Sequence, residues 1–541
     1  MTTFRNLLAA LIVAAATSSP AFAHFPWIVL TPEERPTQAA VYFGESAAPD
    51  DPELLDKIAH SQVHLLTGFR SEPRKLELTK SEDALVASLG EGVNGGTAVL
   101  NLEYGVLSRG GAAFLLMYYG KAYASALPGS WRAVDKTDLL PLEVTPRIDG
   151  SQVVLHVTWQ GKPAAGAEMN VGGPGLDDNL TGTTDDAGDY HCELPASGLF
   201  SIRARLVEKA GGEREGQKFD ETRHYSTLSL NYLKPSITTA EHSWPALPRG
   251  ITSFGGAVAG DWLYVYGGHF GAAHSYSIEG QSNEFRRLNL AQPTEWEVLP
   301  GGPKVTGLAL VAHGGKVYRI GGFTALNNEG EDDKLVSQDS VARFDPETQQ
   351  WEDLPSLPAG RSSLDAAVIS DTIYVVGGWN LQANADEQWH DTALKMDLSA
   401  NQLKWEPIAD PGFQRRAVSV AAWDGKLYVI GGMQPSDGTT TRTAIYDPAT
   451  DSWSEGPQLL GGGMDGFGTS SFASTDRLTV TTMSGAIQQL GDNGQWEFVG
   501  QLKEPRFFHR LLPWRNDLVV VGGADMGAGK RLDLERIPAH Q

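Results

Sequence analysis

Short apolar runs that end in paired glycines recur through the second half of the chain. They read Leu263-Tyr264-Val265-Tyr266-Gly267-Gly268, Val317-Tyr318-Arg319-Ile320-Gly321-Gly322, Ile373-Tyr374-Val375-Val376-Gly377-Gly378, Leu427-Tyr428-Val429-Ile430-Gly431-Gly432 and Leu518-Val519-Val520-Val521-Gly522-Gly523. Each is predicted to be a buried strand, and the period of about 50 residues is that of a repeat architecture. A degenerate copy, Leu478 to Gly485, fills the interval before the last and makes six. A second marker keeps phase with the first. Phe344-Asp345-Pro346 is followed by Trp351, and Tyr446-Asp447-Pro448 by Trp453, while Trp296, Trp405 and Trp496 follow the first, third and fifth copies. The sixth copy has no such Trp, and Trp244 stands upstream of the first instead. That offset is expected if the first strand of a ring completes the last sheet, which leaves no free edges.

Residues 24 to about 235 lack this period. From 141 to 235 apolar and polar positions alternate, as in Val153 to Trp159, between turns at Gly161-Lys162-Pro163 and Asp185-Asp186-Ala187-Gly188. The pattern predicts an immunoglobulin-like β-sandwich, with a first sandwich over 24–140 and a short helix near Pro52 to Ala59. Leu233 to Ala240 reads as the linker into the repeats. Ahead of all this, Arg5, the apolar run Leu7 to Ala16 and Ala21-Phe22-Ala23 make residues 1–23 a secretory leader whose removal leaves His24 first. No later segment reaches transmembrane length.

The glycine pairs, the Tyr-Asp-Pro turns and the phased tryptophans resemble the kelch family over roughly 240 to 541. That resemblance implies a six-bladed β-propeller over 236–541. The expected fold is therefore all-β, with two immunoglobulin-like sandwiches followed by the propeller. His24-Phe25-Pro26-Trp27 and Arg223-His224-Tyr225 give the N-terminal region a resemblance to the exported domain family of nickel-uptake accessory proteins.

Charge and cysteine narrow the function. The formal net charge of −23 argues against nucleic acid or an anionic membrane as partner. Cys192 is alone, so neither an intramolecular disulfide nor a cysteine zinc site can form. Its place outside the repeats also excludes the Cys–Tyr crosslinked copper centre of galactose-oxidase-like propellers. No carboxylate pair, nucleophile triad or phosphate loop shows a diagnostic spacing.

Two sets of candidate residues remain. After leader removal the amine and imidazole of His24 can chelate one ion, with His60 and His64 as further ligands on one face, and imidazole suits Cu or Ni. His224 joins them through the family resemblance. In the repeats, Arg249, Lys304, Arg361, Arg415 and Arg506 recur ahead of the strands, either as a cationic rim that grips carboxylates or as braces between blades. The leading expectation is an exported, secreted or periplasmic, non-enzymatic protein that binds a protein or glycan through the propeller. A Cu- or Ni-binding protein centred on His24 is one alternative. The other is a carbohydrate enzyme similar to exported sialic-acid mutarotases.

Overall fold

The computed structural model describes residues 24–30, 37–67, 72–90, 95–109, 111–134, 136–241, 243–383, 385–474 and 477–539. The leader read over 1–23 lies outside them. Strands make up 49% of the chain and helix 3%, so the fold is all-β. Among the described residues no helix is long and apolar enough to cross a membrane.

The N-terminal half is built on one eight-stranded sheet. Its order is Leu180–Thr183, Glu168–Gly172, Gly198–Glu208, Glu221–Tyr232, Ala112–Tyr123, Thr97–Arg109, Gln62–Leu66 and Arg74–Leu76. A four-stranded sheet containing Phe25–Leu30 and Gln38–Gly44 covers one face, and a second built around Leu142–Asp149 and Gln152–Trp159 covers the opposite face. Each cover encloses its own core, one around Trp27, Leu100 and Tyr118 and one around Val153, Leu155, Phe200 and Tyr119. Tyr118 and Tyr119 thus face different cores, because successive side chains point to opposite faces of a strand. The sequence divides this region near residue 140, but the backbone does not. Glu221–Tyr232 pairs in parallel with Ala112–Tyr123, Glu221 opposite Phe114 through Ser229 opposite Ala122, so the two units share a continuous sheet. Pro52–Ile58 forms a short 3-10 helix whose N-cap, Asp51, accepts a hydrogen bond from the Glu53 N–H.

The second half is a ring of six four-stranded antiparallel sheets. Their innermost strands are Gly255–Ala259, Ala309–His313, Asp365–Ile369, Ser419–Trp423, Ser470–Ala473 and Arg510–Trp514, in blades I to VI. Blade VI takes its outermost strand, Ala240–Glu241, from the start of the ring, where Ala240 lies opposite Arg536. The phased tryptophans tie blade to blade. Trp351 donates its indole N–H to the Pro300 carbonyl at 2.8 Å, Trp405 to Pro355 at 2.9 Å and Trp453 to Ala409 at 2.8 Å, each acceptor lying at the end of the preceding blade.

The paired glycines have a steric cause. At Gly431 φ is +64°, and a Cβ placed there would lie 2.2 Å from the Gly466 carbonyl oxygen of the next blade. That same carbonyl accepts the Gly432 N–H at 2.7 Å, so the approach is what joins the blades. Gly268, Gly322, Gly378 and Gly523 make the matching bond to Val305, Arg361, Arg415 and Ile251.

Blade V departs from the pattern where the N-terminal half sits. Its second and third strands are joined by residues 482–485 alone, whereas blade I uses residues 267–284. The shortened turn leaves room for Gly129, whose added Cβ would be 2.0 Å from the Ser484 carbonyl. The stretch read as a linker is also fixed, since the Ser236 and Ile237 N–H groups both donate to the Val499 carbonyl.

Gly431→Ala should therefore cost on the order of 2–4 kcal/mol, combining left-handed strain with an inter-blade clash. Gly438→Ala, also at positive φ but with nothing within 4 Å of the new Cβ, should cost only about 1 kcal/mol. Denaturant unfolding of the two variants checks the difference.

Candidate functional site

The connections between second and third strands, and those between blades, gather on one face of the ring, and the N-terminal half covers that face over blades IV to VI. Short hairpins rise from it, Phe323–Ala325 with Leu335–Ser337, Trp379–Asn380 with Gln388–Trp389, Met433–Gln434 with Gly438–Thr439 and Ala524–Asp525 with Gly529–Lys530. Where the N-terminal half meets the face, two adjoining cavities of about 350 and 380 Å³ open between them. Ser125, Leu127, Thr439 and Gly462 wall the first, and Ser130, Arg132, Asp465 and Met526 contribute to the second. Burial raises the Asp465 carboxyl above its ordinary value, although Thr482, Ser484 and Gly462 all donate hydrogen bonds to it.

The five basic residues expected at the rim divide into two groups. Arg361, Arg415 and Arg506 are buried and point into their own blades, donating to the carbonyls of Gly377, Gly431 and Gly522 and to those of Thr392, Arg442 and Asp533. Arg506 also pairs with Asp533 and Glu535. Burial lowers Arg361 and Arg415 to about 10. These three are braces, with their guanidinium groups held by backbone oxygens. Arg249 is exposed over the Phe270 ring at 4.2 Å, and Lys304 donates to the Ile278 carbonyl. The five do not form one rim.

The channel below the face is crossed by a different arginine. Arg510 reaches from blade VI over the first two blades, donating to the Phe254 and Leu308 carbonyls and pairing with Asp365 of blade III at 2.9 Å. Gly256 leaves it room, since a Cβ there would lie 3.0 Å from Arg510 Cγ. Asp365 also accepts the Val420 N–H of blade IV. Beyond this pair the channel is a cavity of about 260 Å³, lined by small and apolar residues such as Ala312, Val368 and Ala422.

At the channel mouth sequence reasoning missed the group that matters most. Arg416 occupies the repeat position held by Thr252, Thr306 and Ser362 in blades I to III. Its guanidinium lies 4.1 Å above the Trp379 ring and 5.4 Å from that of Trp389, and the two indoles meet edge to face at 5.6 Å. Tyr276, from the long connection of blade I, packs against His269 and Phe323 and interacts electrostatically with Arg416. A signal for this cluster was present in the chain. Arg416 breaks a run of hydroxyl residues, and Trp379 and Trp389 lie outside the phased tryptophan series.

The four histidines proposed as metal ligands are dispersed. His24 Nε2 is 3.6 Å from Asp50 Oδ2. His60 sits in the turn after the 3-10 helix, exposed, with Nε2 3.1 Å from the Glu103 carbonyl, so it shares neither helix nor strand with His64. His64 lies on Gln62–Leu66, and burial lowers its pKa, with Lys75 adding to the effect. His224 is buried between Tyr119, whose hydroxyl is 3.0 Å from Nδ1, and the Trp159 ring. Among the described residues no three His, Cys, Asp or Glu side chains are grouped to hold a metal ion.

With this geometry in hand, two segments, 305–358 and 414–460, match the family described as the Kelch motif. The second half of the chain is a six-bladed propeller that carries Kelch motifs. The chain is similar to an N-acetylneuraminate epimerase of Pasteurella multocida, 25% identical over 58% of this chain and 96% of that protein. It is also similar to an N-acetylneuraminate epimerase of Escherichia coli O1:K1, 24% identical over 53% of this chain and 77% of that one. Kelch-like protein 35 of Mus musculus is 25% identical over 40% of this chain, which spans only 32% of the mouse protein. A solved structure titled "Structure of YjhT" matches with a TM-score of 0.44 and 18% identity, over 54% of this chain and 95% of that chain.

Two predictions follow from the channel of the propeller. Arg510→Met leaves Asp365 buried without its cation and should cost roughly 3–5 kcal/mol, read by denaturant unfolding. His509, buried between Arg506 and Arg510, is lowered to about 3 by burial and then by those two cations. The unfolded chain takes up a proton near pH 6.5 that the fold refuses. This contribution to stability is therefore complete above about pH 6.5 and is lost progressively as the pH falls toward 3. His509→Gln should show a shallower fall in melting temperature between neutral and acidic pH than the parent.

Proposed function

We propose that this is an exported binding protein whose ligand docks on the hairpin-bearing face of the kelch propeller, beside the N-terminal half. The observation that carries the reading is the concentration of inserted hairpins, aromatic rings and an arginine whose one side-chain hydrogen-bond acceptor among the described residues is a thioether on this one face, above a channel crossed by Arg510 and Asp365. Inward strands of a repeat ring hold the frame, and variable connections on one face supply recognition. Export rests on the leader pattern of residues 1–23, and in this reading the mature chain begins at His24. The N-terminal half is read as two immunoglobulin-like units that wall the binding face and present it outside the cytoplasm. The ligand is a protein or a glycan, as the interaction role of kelch repeats suggests.

A second reading has a specific observation in its favour. Two relatives are named N-acetylneuraminate epimerases, and the Pasteurella protein is matched over 96% of its length. In that reading the same face receives a sugar acid and exchanges its anomers. NMR exchange spectroscopy on N-acetylneuraminate distinguishes the two, since an enzyme raises the exchange rate and a binding protein leaves it at the uncatalysed value.

The binding reading is tested with the full mature chain on glycan and protein arrays, compared with Trp389→Ala on the hairpin face and Asp424→Asn in a turn on the opposite face. Binding should fall for Trp389→Ala and persist for Asp424→Asn. The reverse pattern removes the assignment.

A further inference from the structure

We infer that Arg416, with the indoles of Trp379 and Trp389, forms a subsite for the carboxylate of a sugar acid. The inference rests on the reading of this face as the recognition surface. Arg416 differs from the other arginines of the channel region in how its donors are satisfied. Arg361, Arg415 and Arg506 give theirs to carbonyl oxygens, and Arg510 meets Asp365. Among the described residues, the Arg416 side chain has one hydrogen-bond acceptor, the Met433 sulfur at 2.9 Å, and a thioether accepts weakly. Its Nε is buried without a partner, as those of Arg361 and Arg415 are, but here no carbonyl oxygen takes the terminal nitrogens among the described residues. The indole N–H of Trp379, directly beneath it, is also buried without a partner. Two orphaned donors in one stack, one of them cationic, describe half of an anion site.

The surroundings select the anion. A guanidinium presents a planar fork that matches a carboxylate with two parallel hydrogen bonds. Among the described residues Arg416 is the cation stacked on the indoles, Glu387, exposed on the Trp379–Trp389 hairpin, adds a negative charge that it feels, and Asp333 adds another at Tyr276. A monoanion suits this balance and a phosphate dianion does not. The indole rings provide flat apolar surface for the C–H face of a pyranose, and Tyr276 brings a phenol from the opposite side of the mouth.

The test uses the full mature chain and reads tryptophan fluorescence and calorimetric binding of glucuronate and N-acetylneuraminate, each against its methyl ester. The acids should bind roughly 10- to 100-fold more tightly than the esters, the worth of a charge-assisted bidentate contact. Arg416→Met should remove that preference, Arg416→Lys should restore part of it, and Trp389→Ala should weaken acid and ester alike. Acid and ester binding equally to the parent, a preference that survives Arg416→Met, or no binding of either acid overturns the inference. The acid–ester comparison in the parent needs no variant to fold. If the preference is missing while Trp389→Ala still abolishes array binding, the recognition face stands and this subsite falls. If array binding is also indifferent to Trp389→Ala, both fall.

Discussion

Backbone hydrogen bonds at the channel mouth join five of the six neighbouring blade pairs and close the propeller between its last blade and its first. Each blade contributes one residue in left-handed conformation: Ser253, Gly307, Ser363, Ala417, Gly468 and Phe508. The Gly307 N–H donates to the Ser253 carbonyl, Ser363 to Gly307, Ala417 to Ser363, Phe508 to Gly468, and Ser253 back to Phe508. The link from Phe508 to Ser253 joins the two ends of the ring at the mouth, as Ala240–Glu241 does at the outside of blade VI. Only two of the six are glycine, so four side chains accept a strained φ to make the closure. Position matters here more than residue type.

That ring also determines what the neighbouring positions can do. One residue before the left-handed position, in every blade but V, the chain bridges to the connection rising from its own blade, as Ser362 does to Trp379 and Arg416 to Met433. Two residues before, the carbonyl receives the glycine pair of the preceding blade, and the arginine side chains turn inward as braces. Adjacent residues such as Arg415 and Arg416 thus have opposite fates. The first is held by backbone oxygens inside the blade, and the second lies on the indoles at the mouth.

Blade V shows how the repeat yields to its context. Its glycine pair and long connection are replaced by a four-residue turn, and the space is taken by Gly129 and its neighbours from the N-terminal half. A departure that looks like sequence decay is the docking point of the rest of the chain. The N-terminal half then leaves blades I to III uncovered, which is where Tyr276, Trp379 and Trp389 stand.

The all-β fold, the six-fold ring and its closure by an early strand were legible in the sequence because each depends on local signals that repeat: an apolar run, a glycine pair and a tryptophan in phase. Side-chain destinations were not legible in the same way. His60 and His64 share a spacing that fits one face of an element, yet a turn separates them. Arg361, Arg415 and Arg506 share a repeat position, but spacing alone could not say whether that position faces solvent or the Gly-Gly carbonyls. The shared eight-stranded sheet was hidden for another reason, since a parallel pairing between strands about a hundred residues apart leaves no local trace. Periodicity reports which backbone is repeated. Only the closed ring and the docked N-terminal half decide which side of that backbone meets a ligand, because facing is set by contacts between segments distant in sequence.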